Sequence, residues 1–300
     1  MFNTTLLSIL LMITSLFAYA DRLEANRTQS FVIVDDNGDQ VTLNKPAQRI
    51  VVLAPHSSEL LFEIGAGDLL VGAVDYSDYP EAAKKVPRVG GYTGLNIDAI
   101  FALKPDLIIY WNEGNNAREV KKLRDLGFTL YSSNPTSFEG IAHGLRQYGK
   151  LTGRSLAAEQ QAKKFESKVA ELRNQYQHKQ QKSVFYQVWH QPLTTQGKGT
   201  FINHAIELCG GVNVFADLSI DAPQVSVEAV LERNPDLIVA SGMGKERPEW
   251  LDDWQKYPFL KAVKNKSLFH IHPDLFHRPT SRFLIGTEML CKNLDQVRQL

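Results

Sequence analysis

Rings and imidazoles gather at a few places in this 300-residue chain. Tyr76 and Tyr79 follow the apolar run ending at Val74, Tyr92 lies in GGYTG, and Trp111 closes DLIIYW. Trp189 and His190 follow Val188, while His272, Phe276 and His277 follow Ile271. Broad rings with few charges among them suit contact with a large, flat, partly apolar molecule better than with a sugar, an amino acid or an inorganic ion. The imidazoles admit a second chemistry. Alternating along a strand, His270 and His272 would share a face, and with His56, His190 and His277 they could coordinate a transition metal. Tyr76 or a histidine could equally ligate haem iron, although no acidic His-rich loop of the kind expected in a zinc carrier is present. Covalent catalysis has no comparable support. The sequence has no Gly-x-Ser-x-Gly elbow, phosphate loop or HExxH, and Gly65 and Gly67 end a helix instead of following a strand, so they read as a C-cap.

The elements that must carry these groups are legible in a repeated phrase. NIDAIFALKPDLII (Asn96 to Ile109) returns as SVEAVLERNPDLIV (Ser226 to Val239). Asn96 and Ser226 are good N-caps, Asp98 and Glu228 suit the helix dipole in the first turn, and Ile97, Ile100, Phe101 match Val227, Val230, Leu231 at helical spacing. Pro105 and Pro235 then end each helix, and the runs that follow are too apolar for a half-solvated strand. A helix feeding an interior strand is half of a βαβ unit, so two α/β lobes built alike are expected. Ligands of open α/β sheets lie at the strand C-termini, where the rings above fall.

Between the lobes, Ala158, Ala162, Phe165, Val169, Leu172 and Tyr176 recur at steps of four and three, giving one apolar stripe on an unbroken helix from Ser155 to about His178. At 1.5 Å per residue it is roughly 35 Å long, a stiff rod rather than a coil linker. The expected organisation is therefore a segment 1–20 set apart, a hairpin extension over 21–48, a first lobe over 49–153, the rod over 154–180 and a second lobe over 181–300. Strands are expected at Ile50–Ala54, Leu70–Val74, Leu107–Trp111 and Thr129–Ser132, then near Ser183–Trp189, Leu237–Ser241 and Leu268–Ile271. Short helices are expected near Pro258–Ala262 and from Thr287 to Gln299. FVIVDDNGDQVTL should be a hairpin turning at Asn37-Gly38, with Asp35, Asp36 and Asp39 in a solvated turn; the spacing of a calcium loop is missing.

Composition fits a large globular protein: 43% hydrophobic, 22% charged and formally neutral, without the basic excess of a nucleic-acid binder. The first twenty residues hold an apolar stretch from Leu6 to about Phe17 and end Ala18-Tyr19-Ala20, the pattern of a cleaved secretory signal; the missing Lys or Arg leaves an uncleaved anchor as the alternative. In an exported chain Cys209 and Cys291 read as a disulfide tying the last helix to the second lobe, with two buried free thiols as the alternative.

APHSSELLFEIGAGDLLVGAVDYSDYP, LNIDAIFALKPDLIIYW, the rod, ELCGGVNVF, APQVSVEAVLERNPDLIV and DLFHRPTSR together resemble the periplasmic cobalamin (vitamin B12)-binding proteins of bacterial ABC importers. The likeness runs from about Arg49 to Val297. It implies a monomeric, non-enzymatic carrier with two Rossmann-like lobes joined by one long rigid helix, cobalamin held as cargo in the cleft between them, and no resident cofactor or metal. Haem and ferric-siderophore binders share the layout and are the alternative. Carried over by position, the resemblance assigns Tyr76, Trp111 and the segment Asp274, Leu275, Phe276, His277, Arg278 to the ligand. Tyr92 stands where a Trp is familiar, and Ala222, Val188 and Thr194 occupy aromatic places, with Trp189 compensating. It also assigns Asp98 and Glu228 to docking against arginines of a two-subunit permease at the inner membrane, one acid from each copy of the repeated phrase.

Overall fold

A computed structural model describes residues 30–242, 244 and 246–300; the expected export signal lies outside the described residues. β1 (Phe31–Val34) and β2 (Gln40–Leu43) form the hairpin, with Gly38 at φ +85° in its turn. That turn is not solvated throughout, as the acids suggested. Asp35 is 6% exposed, and its carboxylate accepts the N–H groups of Asn37 and Asp39 at 2.9 Å and of Ser132 at 3.0 Å. The acid closes the turn and pins the hairpin to the first lobe.

That lobe comprises β3 (Ile50–Val52), α1 (Pro55–Glu63), β4 (Leu70–Ala73), β5 (Gly90–Gly91), β6 (Gly94–Leu95), α2 (Ile97–Leu103), β7 (Leu107–Tyr110), α3 (Ala117–Asp125), β8 (Leu130–Ser132) and α4 (Phe138–Thr152). Its parallel sheet runs β4-β3-β7-β8. The rod is α5 (Ser155–Tyr176), and all six residues of the predicted stripe are buried. Gly149 lets α4 cross it closely, since a Cβ there would sit 2.4 Å from that of Ala158.

Next come β9 (Lys182–Gln187), β10 (Trp189–His190), β11 (Leu193–Thr194), α6 (Phe201–Leu208), β12 (Gly211–Asn213), α7 (Val227–Arg233), β13 (Leu237–Ala240), α8 (Lys261–Lys264), β14 (Leu268–His270), α9 (Pro273–Phe276) and α10 (Phe283–Arg298). The second sheet, β12-β9-β13-β14, is also parallel and repeats the order of the first: second strand, first, third, fourth. Both copies of the phrase fold alike. Asn96 Oδ1 and Ser226 Oγ accept from the N–H of Ala99 and Ala229, and both helices leave through a left-handed residue, Lys104 or Asn234. Asp106 and Asp236 then accept N–H groups at the start of β3 and β9, from Arg49 and Ser183, so the acid after each proline fixes the register of the lobe's first strand.

Several elements differ from expectation. The strand expected over Ser183–Trp189 stops at Gln187, and Trp189 belongs to the separate β10–β11 ribbon. The helix placed near Pro258–Ala262 begins at Lys261, because Asn234 Oδ1 accepts the Lys261 N–H and caps it from outside. The last helix starts at Phe283, four residues before Thr287, and β12 was unforeseen. His270 and His272 do not share a strand face: β14 ends at His270, and His272 is the N-cap of α9.

Cys209 and Cys291 are bonded, joining the end of α6 to α10. The main core does not divide at the rod; it holds Leu60 and Ile109 of the first lobe, Phe165 of α5 and Val239 of the second in one buried cluster. Phe283 is its hub, with ring centroids 5.4 Å from Phe138, 5.0 Å from Phe201 and 5.2 Å from Phe276.

Candidate functional site

In each sheet the chain moves one way from the first strand and the other way from the third. The topological switch therefore lies between β3 and β7 in one lobe and between β9 and β13 in the other, and ligands of such sheets sit beyond the strand ends there. In the first lobe Asn115 stitches this point together, donating to the Leu53 carbonyl at 2.9 Å while its Oδ1 accepts the Trp111 N–H at 2.7 Å. Arg278, in the loop after α9, reaches Asp78, in the loop after β4, at 3.0 Å. The C-terminal edges of the two sheets thus face one another across a cleft.

The first wall carries the exposed rings. Tyr76 is 72% exposed in a left-handed backbone conformation, and Tyr92 is 99% exposed on the β5–β6 turn. Neither ring is used in packing. Trp111 is half-buried: its Nε1 donates to Asn134 Oδ1 at 2.9 Å, and the His56 ring meets it edge-on at 5.9 Å. Burial and the nearby Arg278 push His56 down to about 4, so that ring is neutral at pH 7. The opposite wall holds Trp189, His190 and Trp250. His190 stacks on Trp250 at 5.4 Å, and Trp189 meets Trp250 edge-on at 6.4 Å. His190 and Trp250 border a cavity of about 210 Å³, below the roughly 300–1,000 Å³ of a pocket for a drug-sized ligand. A large flat molecule would have to occupy the space between the walls.

An ion network closes the floor. Glu59, on the first turns of α1, is 4% exposed and accepts from Arg278 Nη1 at 2.8 Å, Arg282 Nη2 at 2.6 Å, Arg282 Nε at 2.9 Å and Thr280 Oγ1 at 3.2 Å. Arg278 Nη2 also holds Asp274 at 2.8 Å, and the Arg282 guanidinium lies 3.8 Å over the Tyr79 ring. Ser281 adds a hydrogen bond to Glu63 at 2.6 Å. All of these except Arg278–Asp274 and Arg282–Tyr79 run between α1 and the segment before α10, so the network is both the floor of the cleft and a tie across the lobes.

The segment Asp274–Arg278 is thereby sorted. Asp274 and Arg278 line the floor and Leu275 is half-buried. Phe276 is corrected: it has no exposed surface and packs on Tyr186 and Phe283, because α9 turns its apolar face into the core. His277 also faces inward. Its Nε2 lies 2.8 Å from the Tyr186 hydroxyl, and burial pushes it down to about 4. Asp98 and Glu228 are exposed in the first turns of α2 and α7, and among the described residues neither has an ion-pair partner; its own N–H and then the Ser226 hydroxyl lower the Glu228 carboxyl. Glu59, Asp78, Arg282 and Trp250 were not singled out from the sequence. The signal for the first was available: in SELLFEIG, Glu59 stands directly against the apolar run Leu60, Leu61, Phe62.

The sequence matches the periplasmic binding protein family over residues 50–275. It is 38% identical over 249 residues to a vitamin B12-binding protein of Vibrio cholerae, covering 83% of this chain and 90% of that one. The crystal structure of the periplasmic vitamin B12-binding protein BtuF of Vibrio cholerae superposes with a TM-score of 0.78 at 36% identity, covering 85% of this chain and 99% of that one. A protein of Staphylococcus epidermidis described as a possible iron-binding, periplasmic solute-binding protein superposes with a TM-score of 0.74 at 27% identity, over 83% and 99%. With both lobes, the rod and the facing strand ends inside the matched region, the chain belongs to the periplasmic binding protein family.

Proposed function

We propose that the protein holds a corrinoid of the cobalamin class between its lobes and, as a monomer, delivers it to a two-subunit ABC permease at the inner membrane. The observation that carries the reading is the 38% identity to a vitamin B12-binding protein, sustained over 249 residues and therefore across both walls of the cleft. The geometry supports it. Tyr76 and Tyr92 offer ring faces that the fold does not use, and Trp111 and Trp189 stand at the strand ends of opposite lobes. The cargo is held by ring contacts and polar anchors, and no bond is made or broken. Asp98 and Glu228, equivalent acids on equivalent helices, offer a pair of carboxylates to a permease with paired subunits.

Titration of the purified protein with cobalamin, haem and a ferric siderophore tests the cargo. Cobalamin binds tightest on this reading. Tyr76→Ala with Tyr92→Ala weakens it about 10- to 100-fold, the loss of two stacking surfaces at roughly 0.5–1.5 kcal/mol each beyond area, while the melting temperature stays put. Undiminished affinity in that double variant refutes the assignment.

A further inference from the structure

Among the rings of the first wall, Trp111 is the one that is clamped. Its indole Nε1 donates to Asn134 Oδ1 at 2.9 Å, and Asn134 Nδ2 donates to Glu113 Oε1 at 2.8 Å. An indole N–H only donates and a carboxylate only accepts, so these two partners leave the Asn134 amide a single orientation. Gly114 lies against the ring. A Cβ at that position would fall 1.9 Å from Trp111 Cε3, and Gly114 is not among the glycines with positive φ, so the close approach of the ring, and not the backbone, demands glycine there. The His56 ring closes a third side, edge-on at 5.9 Å. Asn134 is fixed in its turn by the N-terminal hairpin, which precedes the matched residues 50–275. Asp36 Oδ2 accepts the Asn134 N–H at 2.6 Å, while the Asp36 N–H donates to the Ser132 carbonyl at 3.3 Å and Asp35 takes the Ser132 N–H at 3.0 Å. Asn37 Nδ2 donates to the hydroxyl of Tyr110, the residue before Trp111, at 3.0 Å. Residues 35–37 therefore grip the ends of both β7 and β8, next to the tryptophan.

We propose that Asn134 and Gly114 are positioning residues for the cargo, which set the pose of the Trp111 ring, and that the hairpin turn holds Asn134 in place through Asp36. Ring contacts depend on offset and tilt as well as on area. A ring that turns freely offers the same surface but occupies the productive pose for only a fraction of the time, and affinity falls by that fraction. The inference deepens the corrinoid reading and rests on it for the identity of the cargo, whereas the pose of the ring is a property of the empty protein. It gives the hairpin, which touches neither sheet edge at the cleft, a part in binding.

Fluorine NMR of the empty protein labelled with 5-fluorotryptophan reads the pose directly. The chain has four tryptophans, and the Trp111 resonance is the one lost in Trp111→Phe. Asn134→Ala and Gly114→Ala shift or broaden that resonance and leave those of Trp189, Trp250 and Trp254 in place. Asp36→Ala moves it in the same sense, while Asp39→Asn, which removes an exposed acid of the same hairpin, does not. Calorimetric titration with cobalamin supplies the second readout. Asn134→Ala weakens binding about 3- to 10-fold, the loss of one hydrogen bond, yet weakens it no further in a protein that already carries Trp111→Ala. A Trp111 resonance unmoved by both Asn134→Ala and Gly114→Ala overturns the proposal, as does an equal loss of affinity with and without the ring, the result of a merely structural role. A resonance that Asp36→Ala leaves unmoved removes the hairpin from the clamp. Failure of cobalamin to bind at all would sink the corrinoid reading, and the clamp is then judged on the fluorine spectrum alone.

Discussion

Replacing Glu59 by alanine removes one carboxylate and leaves two guanidiniums without their shared partner. Glu59 is 4% exposed, and Arg278 and Arg282 have little more access to water, so the vacancy cannot be filled by bulk solvent at no cost. Breaking a buried pair by deleting one member costs about 3–5 kcal/mol, most of it from the uncompensated charge left behind. For a chain of this size that corresponds to a fall in melting temperature of about 10 °C. Glu59→Gln keeps the shape and one acceptor and should lose roughly half as much. Urea unfolding measures the effect: the midpoint falls while the slope stays constant, because the surface exposed on unfolding is the same. A double-mutant cycle with Arg282→Ala should return a coupling of about 1–3 kcal/mol. If Glu59→Ala costs no more than the ~0.5 kcal/mol expected of a surface change such as Glu171→Ala, the network does not tie the lobes, and the account of the floor as a tie is wrong.

Three further outcomes are expected. Reducing the Cys209–Cys291 bond, which closes a separation of 82 residues, should lower stability by about 4–5 kcal/mol on the chain-entropy account, read as the difference between guanidinium melts with and without reductant. His56 and His277 are depressed from 6.5 to about 4; as pH falls from 6.5 towards 4 the unfolded chain gains protons that the folded chain refuses. Stability present above pH 6.5 is therefore lost on acidification, by roughly 3 kcal/mol for each ring, and His277→Gln should flatten the dependence of melting temperature on pH across that window. Asp98→Arg with Glu228→Arg should leave cobalamin binding intact and abolish stimulation of the transporter's ATPase; normal stimulation would remove both acids from the docking surface.

What the sequence disclosed follows from the range of the interactions involved. The hairpin, the rod and the repeated helix–strand phrase are set by caps, prolines and periodicity within a few residues of one another, and each was found where its local chemistry placed it. Even the reason for the phrase is local in part: its Pro-Asp step supplies Asp106 and Asp236, which anchor the first strand of each lobe. The floor was harder to see. Glu59 meets Arg278 and Arg282 across more than two hundred residues, and spacing carries no trace of that contact. Asp35 was misjudged for the same reason, since its burial depends on Ser132. Phe276 shows the converse limit. A ring between Asp274 and Arg278 shares their segment, but a four-residue helix turns its residues to different sides, and only the packing of Phe283 decides which side is the core.

Phe283 sets one consequence for the proposed delivery. Because its ring is wedged among aromatic neighbours from both halves, the halves have no dry seam along which to swing, and filled and empty carriers must present almost the same outline to whatever receives them. A receptor that reads outline alone would be blocked by spent carriers. Discrimination between the two must then come from the cargo itself at the mouth, or from the loose tyrosines that it stills.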